Sequence, residues 1–320
     1  IMKKIGILTS GGDAPGMNAA IRSVVRSGIS QGLEVYGIYN GYEGLVNNNI
    51  RQLGRGDVSD IIIQGGTVLG SARLEEFKLL EVREKAVANL KLHGIEGLVV
   101  IGGDGTYRGA MALTEMGIQC IGIPGTIDND IVSTDYSIGF DTALNTVIQN
   151  VDKLRDTSSS HHRCSIVEVM GNRCGDLAIF AGITTGAEVI ITKETGFDES
   201  VVLERLRHIE EIKRKRHALV IISEKITDVD LFAKKVSQFT DFSGRATVLG
   251  HIQRGGSPTA RDRILATQYG DKAVELLRND IGGHCVSLRG DKIVSIDINE
   301  ALNLPKQTRK DMFDLHDRLV

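Results

Sequence analysis

The sequence predicts an α/β fold in two domains, on three observations. Short apolar runs alternate with longer amphipathic ones, the pattern of βα units around parallel sheet. Glycine-rich turns follow two of the apolar runs, at Gly11-Gly12 and Gly102-Gly103, where a strand would pass into a helix. The length of 320 residues exceeds what a single hydrophobic core ordinarily organises.

Taken in order, Lys4-Ile5-Gly6-Ile7-Leu8 starts the first strand, 4–9, and a helix follows from near Asn18. A second strand is expected at 35–39 and a helix from Leu80. Leu98-Val99-Val100-Ile101 marks a buried strand at 97–102, followed by a helix from near Tyr107. Cys120-Ile121-Gly122-Ile123 marks another at 119–123. In the helix from Gly139, Phe140, Leu144, Val147, Ile148, Val151 and Leu154 recur at spacings of three and four. The polar stretch 155–163 then reads as a linker or as a loop carrying function. Further strands are expected at 165–170, 188–192 and 218–223, with helices from Gly175, Asp198, Asp228 and Asp262. The run from Glu210 to His217 closes a helix, where its basic end suits the macrodipole.

Composition excludes several classes. A formal net charge of −3 provides no global basic field for nucleic acid or an anionic membrane. No apolar run approaches the length that spans a bilayer, and the first residues lack a signal-peptide pattern. The 4 cysteines (Cys120, Cys164, Cys174, Cys285) have no Cys-x-x-Cys spacing, which argues against a disulfide framework or a zinc site and for a cytoplasmic setting. The 37 glycines suggest many tight turns able to offer backbone N–H groups.

Two runs carry the chemistry. Gly102-Gly103-Asp104-Gly105-Thr106 is backbone that can wrap a polyphosphate, with one carboxylate suited to Mg²⁺ or to capping the next helix. Pro124-Gly125-Thr126-Ile127-Asp128-Asn129-Asp130 carries two carboxylates; if the segment is extended they point the same way, one serving as base and the other supporting metal or geometry. Both runs follow apolar strands and would open at one carboxyl edge of the sheet. Leu8 to Asp13 echoes Val100 to Asp104, which suggests two glycine turns built alike at that edge. Neither a P-loop nor a Gly-x-Gly-x-x-Gly fingerprint is present.

With these runs, and with Leu8-Thr9-Ser10-Gly11-Gly12-Asp13-Ala14-Pro15-Gly16-Met17-Asn18, Gly70-Ser71-Ala72-Arg73, Glu168-Val169-Met170-Gly171 and Leu249-Gly250-His251-Ile252-Gln253-Arg254-Gly255-Gly256, the chain resembles the bacterial ATP-dependent 6-phosphofructokinases of the group A phosphofructokinase family over essentially its whole length. The resemblance implies two Rossmann-like three-layer α/β/α domains with the active site in the cleft between them. Residues 1–138 plus 251–305 would form the larger, ATP-binding domain. Residues 139–250 plus 306–320 would form the smaller, fructose 6-phosphate-binding domain. It also implies a glycolytic, allosterically regulated homotetramer using Mg²⁺ and ATP.

By the same resemblance Asp128 is the general base, with Thr126 and Asp130 assisting. Gly12, Arg73, Leu74, Gly103, Asp104, Gly105 and Thr106 line the ATP site, and Asp104 holds Mg²⁺. The sugar phosphate falls to Thr126, Ile127, Asp128, Met170, Gly171, Asn172, Glu224, His251, Ile252, Gln253 and Arg254, with Arg163 and Arg245 reaching in from a neighbouring subunit. Arg22, Arg26, Arg55, Arg155, Gly186, Ala187, Glu188, Lys213, Lys215, Arg216 and His217 match positions that bind the activators ADP or GDP and the inhibitor phosphoenolpyruvate. The chain departs from the family at Asn172, where relatives carry an arginine; Arg173 either bends back to replace it or the site has lost a cation. Pyrophosphate-dependent relatives carry Asp at position 105 and Lys at 125, so Gly105 and Gly125 favour ATP. A sensor that binds sugar phosphate or nucleotide without catalysis is the reading from another class.

Overall fold

The computed structural model describes residues 2–212 and 215–320. Among them the strands are β1 (Lys4–Thr9), β2 (Glu34–Ile38), β3 (Ile50–Leu53), β4 (Gly97–Gly102), β5 (Gln119–Pro124), β6 (Arg163–Val169), β7 (Val189–Ile191), β8 (Ala218–Ser223), β9 (Ser243–Val248), β10 (His284–Arg289) and β11 (Lys292–Asp297). The α-helices are α1 (Met17–Ser30), α2 (Gly41–Val46), α3 (Leu80–His93), α4 (Asp104–Glu115), α5 (Phe140–Ser160), α6 (Asp176–Thr185), α7 (Glu199–Glu211), α8 (Val229–Phe239), α9 (Ala260–Arg278), α10 (Ile298–Asn303) and α11 (Lys310–Leu319).

The chain divides into two α/β units. The first comprises Ile1–Ile127, Ile131–Thr142 and Arg254–Lys306, the second Asp128–Asp130, Ala143–Gln253 and Gln307–Val320. These crossings lie one to four residues beyond the expected boundaries, and the short segment Asp128–Asp130 groups with the second unit.

In the first unit the sheet order is β11-β10-β5-β4-β1-β2-β3. Its central strands run parallel, while β3 and β11 pair antiparallel at the two edges. Alternation sorts the side chains: Leu98 and Val100 join the cluster beneath α3 and α4, built on Leu90, Tyr107, Ala110 and Leu113. On α1, Gly28 lies so close to Ile5 and Val35 that a Cβ would collide with Val35. The second unit has a fully parallel sheet, β7-β8-β6-β9. Ile166, Val220 and Ile222 pack there with Leu206 of α7 and Phe232 of α8. Helices α7 and α8 begin where expected because Asp198 and Asp228 cap them, accepting the N–H groups of Ser200 and Leu231 at 3.1 Å and 3.0 Å.

Two expectations are corrected. Residues 155–160 are neither linker nor loop: they form the last turns of α5, where Ser158 is buried and its hydroxyl meets that of Ser165. Four strands lie outside the expected set: β3, β9, β10 and β11. Three of these are edge strands whose positions are mostly exposed or half-buried, so they lack the continuous apolar run of a buried strand.

Within the first unit Asp262 organises the start of α5. Its carboxylate accepts from the Gly139 N–H (3.0 Å), the Thr142 N–H (2.9 Å) and the Thr142 hydroxyl (2.6 Å). Burial pushes this carboxyl up to about 6, against the pull of the donors from Thr142 and Gly139. A carboxyl raised on folding contributes stability that is present below its unfolded value and lost as pH rises through the folded one. The stability of the native chain minus that of Asp262→Asn should therefore fall by about 2–3 kcal/mol between about pH 4 and pH 7. Urea unfolding of both proteins across that range measures it, and a pH-independent difference refutes it.

Candidate active site

Parallel register brings the glycine turns together in the first unit. Thr9 of β1 pairs with Ile101 of β4, and Gly102 of β4 with Pro124 of β5, so all three strands end at one carboxyl edge. The two turns are tied there by Ser10 N–H to Ile101 O (2.9 Å), and Gly125 N–H reaches Gly102 O (3.0 Å). The echo between the two turns thus reflects neighbouring strands.

The glycines divide by what a side chain would meet. At Gly102 a Cβ would strike the Thr106 hydroxyl and come within 2.5 Å of Ser10 O, so packing requires glycine. At Gly103 and Gly105 a Cβ would meet no atom within 4 Å. Those two glycines leave free space over the start of α4, where the first N–H groups have no intrahelical acceptor. The N-cap of α4 is Gly103, and Asp104 is the first helical residue, one position past the capping one, so the Asp104 carboxylate is not the cap of this helix. Burial raises this carboxyl above the usual range, while Arg108 and Lys306 pull it back. No cluster of three or more metal-ligating side chains occurs among the described residues. A divalent ion at Asp104 would therefore draw its other ligands from phosphate oxygens and water, as Mg²⁺ ordinarily does.

Other expected nucleotide residues converge on this edge. The Ser71 hydroxyl donates to Gly11 O (2.6 Å) and the Thr9 hydroxyl to Gly70 O (2.8 Å), which seats the segment carrying exposed Arg73 and half-buried Leu74. The Arg254 guanidinium lies directly over Gly12 and donates to Asp13 O at 3.5 Å. Thr126 N–H donates to Ile138 O (3.0 Å), and Ile127 is buried.

The second unit holds Asp128–Asp130 and the 170–176 loop. Asn129 is left-handed at φ 53°, so the chain turns between the two acids. The extended segment that would aim Asp128 and Asp130 alike is not formed. Met170 and Glu224 follow the parallel neighbours β6 and β8 at their carboxyl ends. The turn Gly171–Cys174 is closed by Cys174 N–H to Gly171 O (2.9 Å), and the Asn172 N–H donates to Glu224 Oε1 (2.8 Å). Asn172 has φ 56°, a conformation Asn tolerates better than most residues. Asn172 and Arg173 are both exposed on this turn. Burial, then the neighbouring Glu224, raises the Glu168 carboxyl. His251 and Ile252 are exposed, whereas Gln253 is fully buried. The Gln253 amide is engaged by Met170 N–H (3.1 Å) and Gly250 O (2.9 Å), so it supports the loop from beneath.

Arg163 and Arg245 start β6 and lie on its neighbour β9, with Ser165 paired to Arg245. Seven residues of strand separate Arg163 from Met170, roughly 23 Å. Within the chain the Arg163 side chain is engaged elsewhere: its Nη1 donates to the Thr157 hydroxyl at 3.1 Å.

The expected effector residues fall into two groups. In the first unit, Arg22 and Arg26 lie one helical turn apart on α1, and Arg26 donates to Arg55 O (3.5 Å) and to the Ser59 hydroxyl (3.4 Å). In the second unit the Arg155 guanidinium donates to Thr185 O beside Gly186 and Ala187. Buried Glu188 holds Lys215 Nζ and the Leu219 N–H, each at 2.7 Å. Arg216 is exposed and His217 half-buried; Lys213 lies outside the described residues.

A family model described as phosphofructokinase matches residues 4–277. An ATP-dependent 6-phosphofructokinase of Photobacterium profundum is 58% identical over 321 residues, covering 100% of both chains. One of Vibrio vulnificus is 56% identical over 320 residues, again covering 100% of both. The solved phosphofructokinase of Saccharomyces cerevisiae superposes with a TM-score of 0.86 at 34% identity, covering 99% of this chain. The chain spans 46% of that yeast chain's length.

Proposed function

Because the chain belongs to the phosphofructokinase family, we infer that it transfers the γ-phosphoryl group of ATP to the 1-hydroxyl of fructose 6-phosphate, yielding ADP and fructose 1,6-bisphosphate in glycolysis. The observation that carries the choice of donor is the open space at Gly103 and Gly105 beside Asp104, together with end-to-end identity to ATP-dependent relatives.

In this reading the first unit takes the nucleotide, and the second supplies most of the residues for the sugar phosphate. Backbone N–H groups at the start of α4 meet the polyphosphate, favoured by the positive end of the helix. Asp104 would hold Mg²⁺, which when bound neutralises charge on the phosphate oxygens. Asp128 accepts the proton of the attacking hydroxyl, and Thr126 and Asp130 support the transferring group. Met170, Gly171, Glu224, His251 and Arg254 hold the sugar phosphate, and Gln253 braces Met170. The strand distance from Arg163 to Met170 supports a site completed by a neighbouring subunit, as in a homotetramer. The grouping of Arg155, Gly186, Ala187, Glu188 and Lys215 supports an anion-binding effector site for ADP, GDP or phosphoenolpyruvate. The reading includes a cytoplasmic location, and no described helix is long and apolar enough to cross a membrane.

A coupled assay of fructose 1,6-bisphosphate formation tests this reading. Turnover with MgATP, none with pyrophosphate, activation by ADP and inhibition by phosphoenolpyruvate are expected. Turnover with pyrophosphate alone overturns the donor, and turnover with neither leaves the sensor.

A further inference from the structure

The loop that carries Asp128 is tied to the C-terminal segment through one buried carboxylate. The Asn129 amide nitrogen donates to Asp176 Oδ2 at 2.9 Å. Asp176, almost fully buried as the first residue of α6, receives Arg309 in a two-point clasp: Nε to Oδ1 at 3.0 Å and Nη2 to Oδ2 at 2.7 Å. Cys174 Sγ also meets the Asn129 backbone, at 3.7 Å from its carbonyl oxygen. Arg309 is itself held over the Phe180 ring, 5.7 Å from its centre, and its guanidinium is made still more basic by the bond to Asp176. Farther along, α11 is anchored by His316, whose ring nitrogen meets Ala187 O at 2.7 Å.

We propose that Asp176 and Arg309 are positioning residues for phosphoryl transfer. Through Asn129 they hold the turn between Asp128 and Asp130, which makes the C-terminal segment part of the catalytic apparatus. The physical case rests on three features. A left-handed residue between two acids sets the direction in which both leave the backbone. A two-point Arg–carboxylate clasp fixes orientation as well as distance. Removing the guanidinium would leave Asp176 charged and uncompensated, so that carboxylate would turn to new partners and release Asn129. Displacing a reacting group by about 1 Å costs on the order of a hundredfold in rate. This inference rests on the reading of Asp128 as base.

The test compares Arg309→Lys, Asp176→Asn and the neutral pair Asp176→Asn/Arg309→Leu, which avoids an unpaired buried charge, each alone and in an Asn129→Gly background. Glycine accepts the left-handed backbone but lacks the amide. Expected are kcat values reduced about 10- to 100-fold, KM for fructose 6-phosphate and ATP within about twofold, and Arg309→Lys retaining more activity than the neutral pair. In the Asn129→Gly background the same substitutions should lower kcat no further. Folded variants with native kcat overturn the proposal. So does a loss of kcat that persists undiminished without the Asn129 amide, since that marks a general structural role. Native kcat in Asp128→Ser would instead remove the base assignment beneath it.

Discussion

Asp128→Ser is expected to lower kcat by about 10²- to 10⁴-fold, the range a positioned general base supplies, while KM for fructose 6-phosphate changes little. The acceptor hydroxyl must shed its proton as it attacks, and serine cannot take that proton at neutral pH. Sugar binding survives because the residues proposed to hold the phosphate, Met170, Glu224, His251 and Arg254, lie elsewhere in the chain. The turn at Asn129 breaks the extended geometry that would aim Asp128 and Asp130 alike, so the second acid is not a ready substitute. Steady-state kinetics of Asp128→Ser and Asp130→Ser separate the two. A near-native kcat in the first, with collapse in the second, moves the base to Asp130.

Gly105→Asp is expected to raise KM for ATP by about a hundredfold. A new carboxylate 4–6 Å from a phosphate oxygen, at an effective dielectric constant near 20, adds about 3 kcal/mol of repulsion, and each 1.4 kcal/mol is about a factor of ten. The fold should not register the change. A Cβ at 105 meets no atom of the protein within 4 Å, and an acid in the first turn of α4 suits the helix dipole. A melting temperature within about 2 °C of the native value is therefore expected, with Gly105→Ala showing a smaller rise in KM. An unchanged KM for ATP in Gly105→Asp would remove the nucleotide from this turn. The matched pair of measurements separates damage to binding from damage to the fold.

Most of the architecture was legible because buried parallel strands are written as continuous apolar runs. Ile5 to Leu8, Leu98 to Ile101 and Ala218 to Ile222 are such runs, each followed by a turn signal or a cap. The edge strands β3, β9 and β11 were illegible for the opposite reason: most of their positions are exposed or half-buried, and their sequences resemble loops. The serine-rich end of α5 misled in the same way. A buried serine pair, Ser158 with Ser165, keeps that helix going where local propensity predicts a break.

The glycine turns, the acidic run and the family that they mark were determined by the sequence alone. Phosphate-wrapping backbone and a proton-accepting carboxylate need particular residues at fixed local spacing, and local spacing is what a sequence records. Tertiary structure decided which glycines are demanded by packing and which leave room for a ligand, since Gly102 and Gly105 look alike until their neighbours are known. It also decided that Asn129 turns the chain between the two acids, that Gln253 is a buried brace, and that Arg309 reaches Asp176. These last depend on contacts between segments 47 to 133 residues apart. Side chains so distant in sequence become partners only when the burial of strands and helices brings their backbones together.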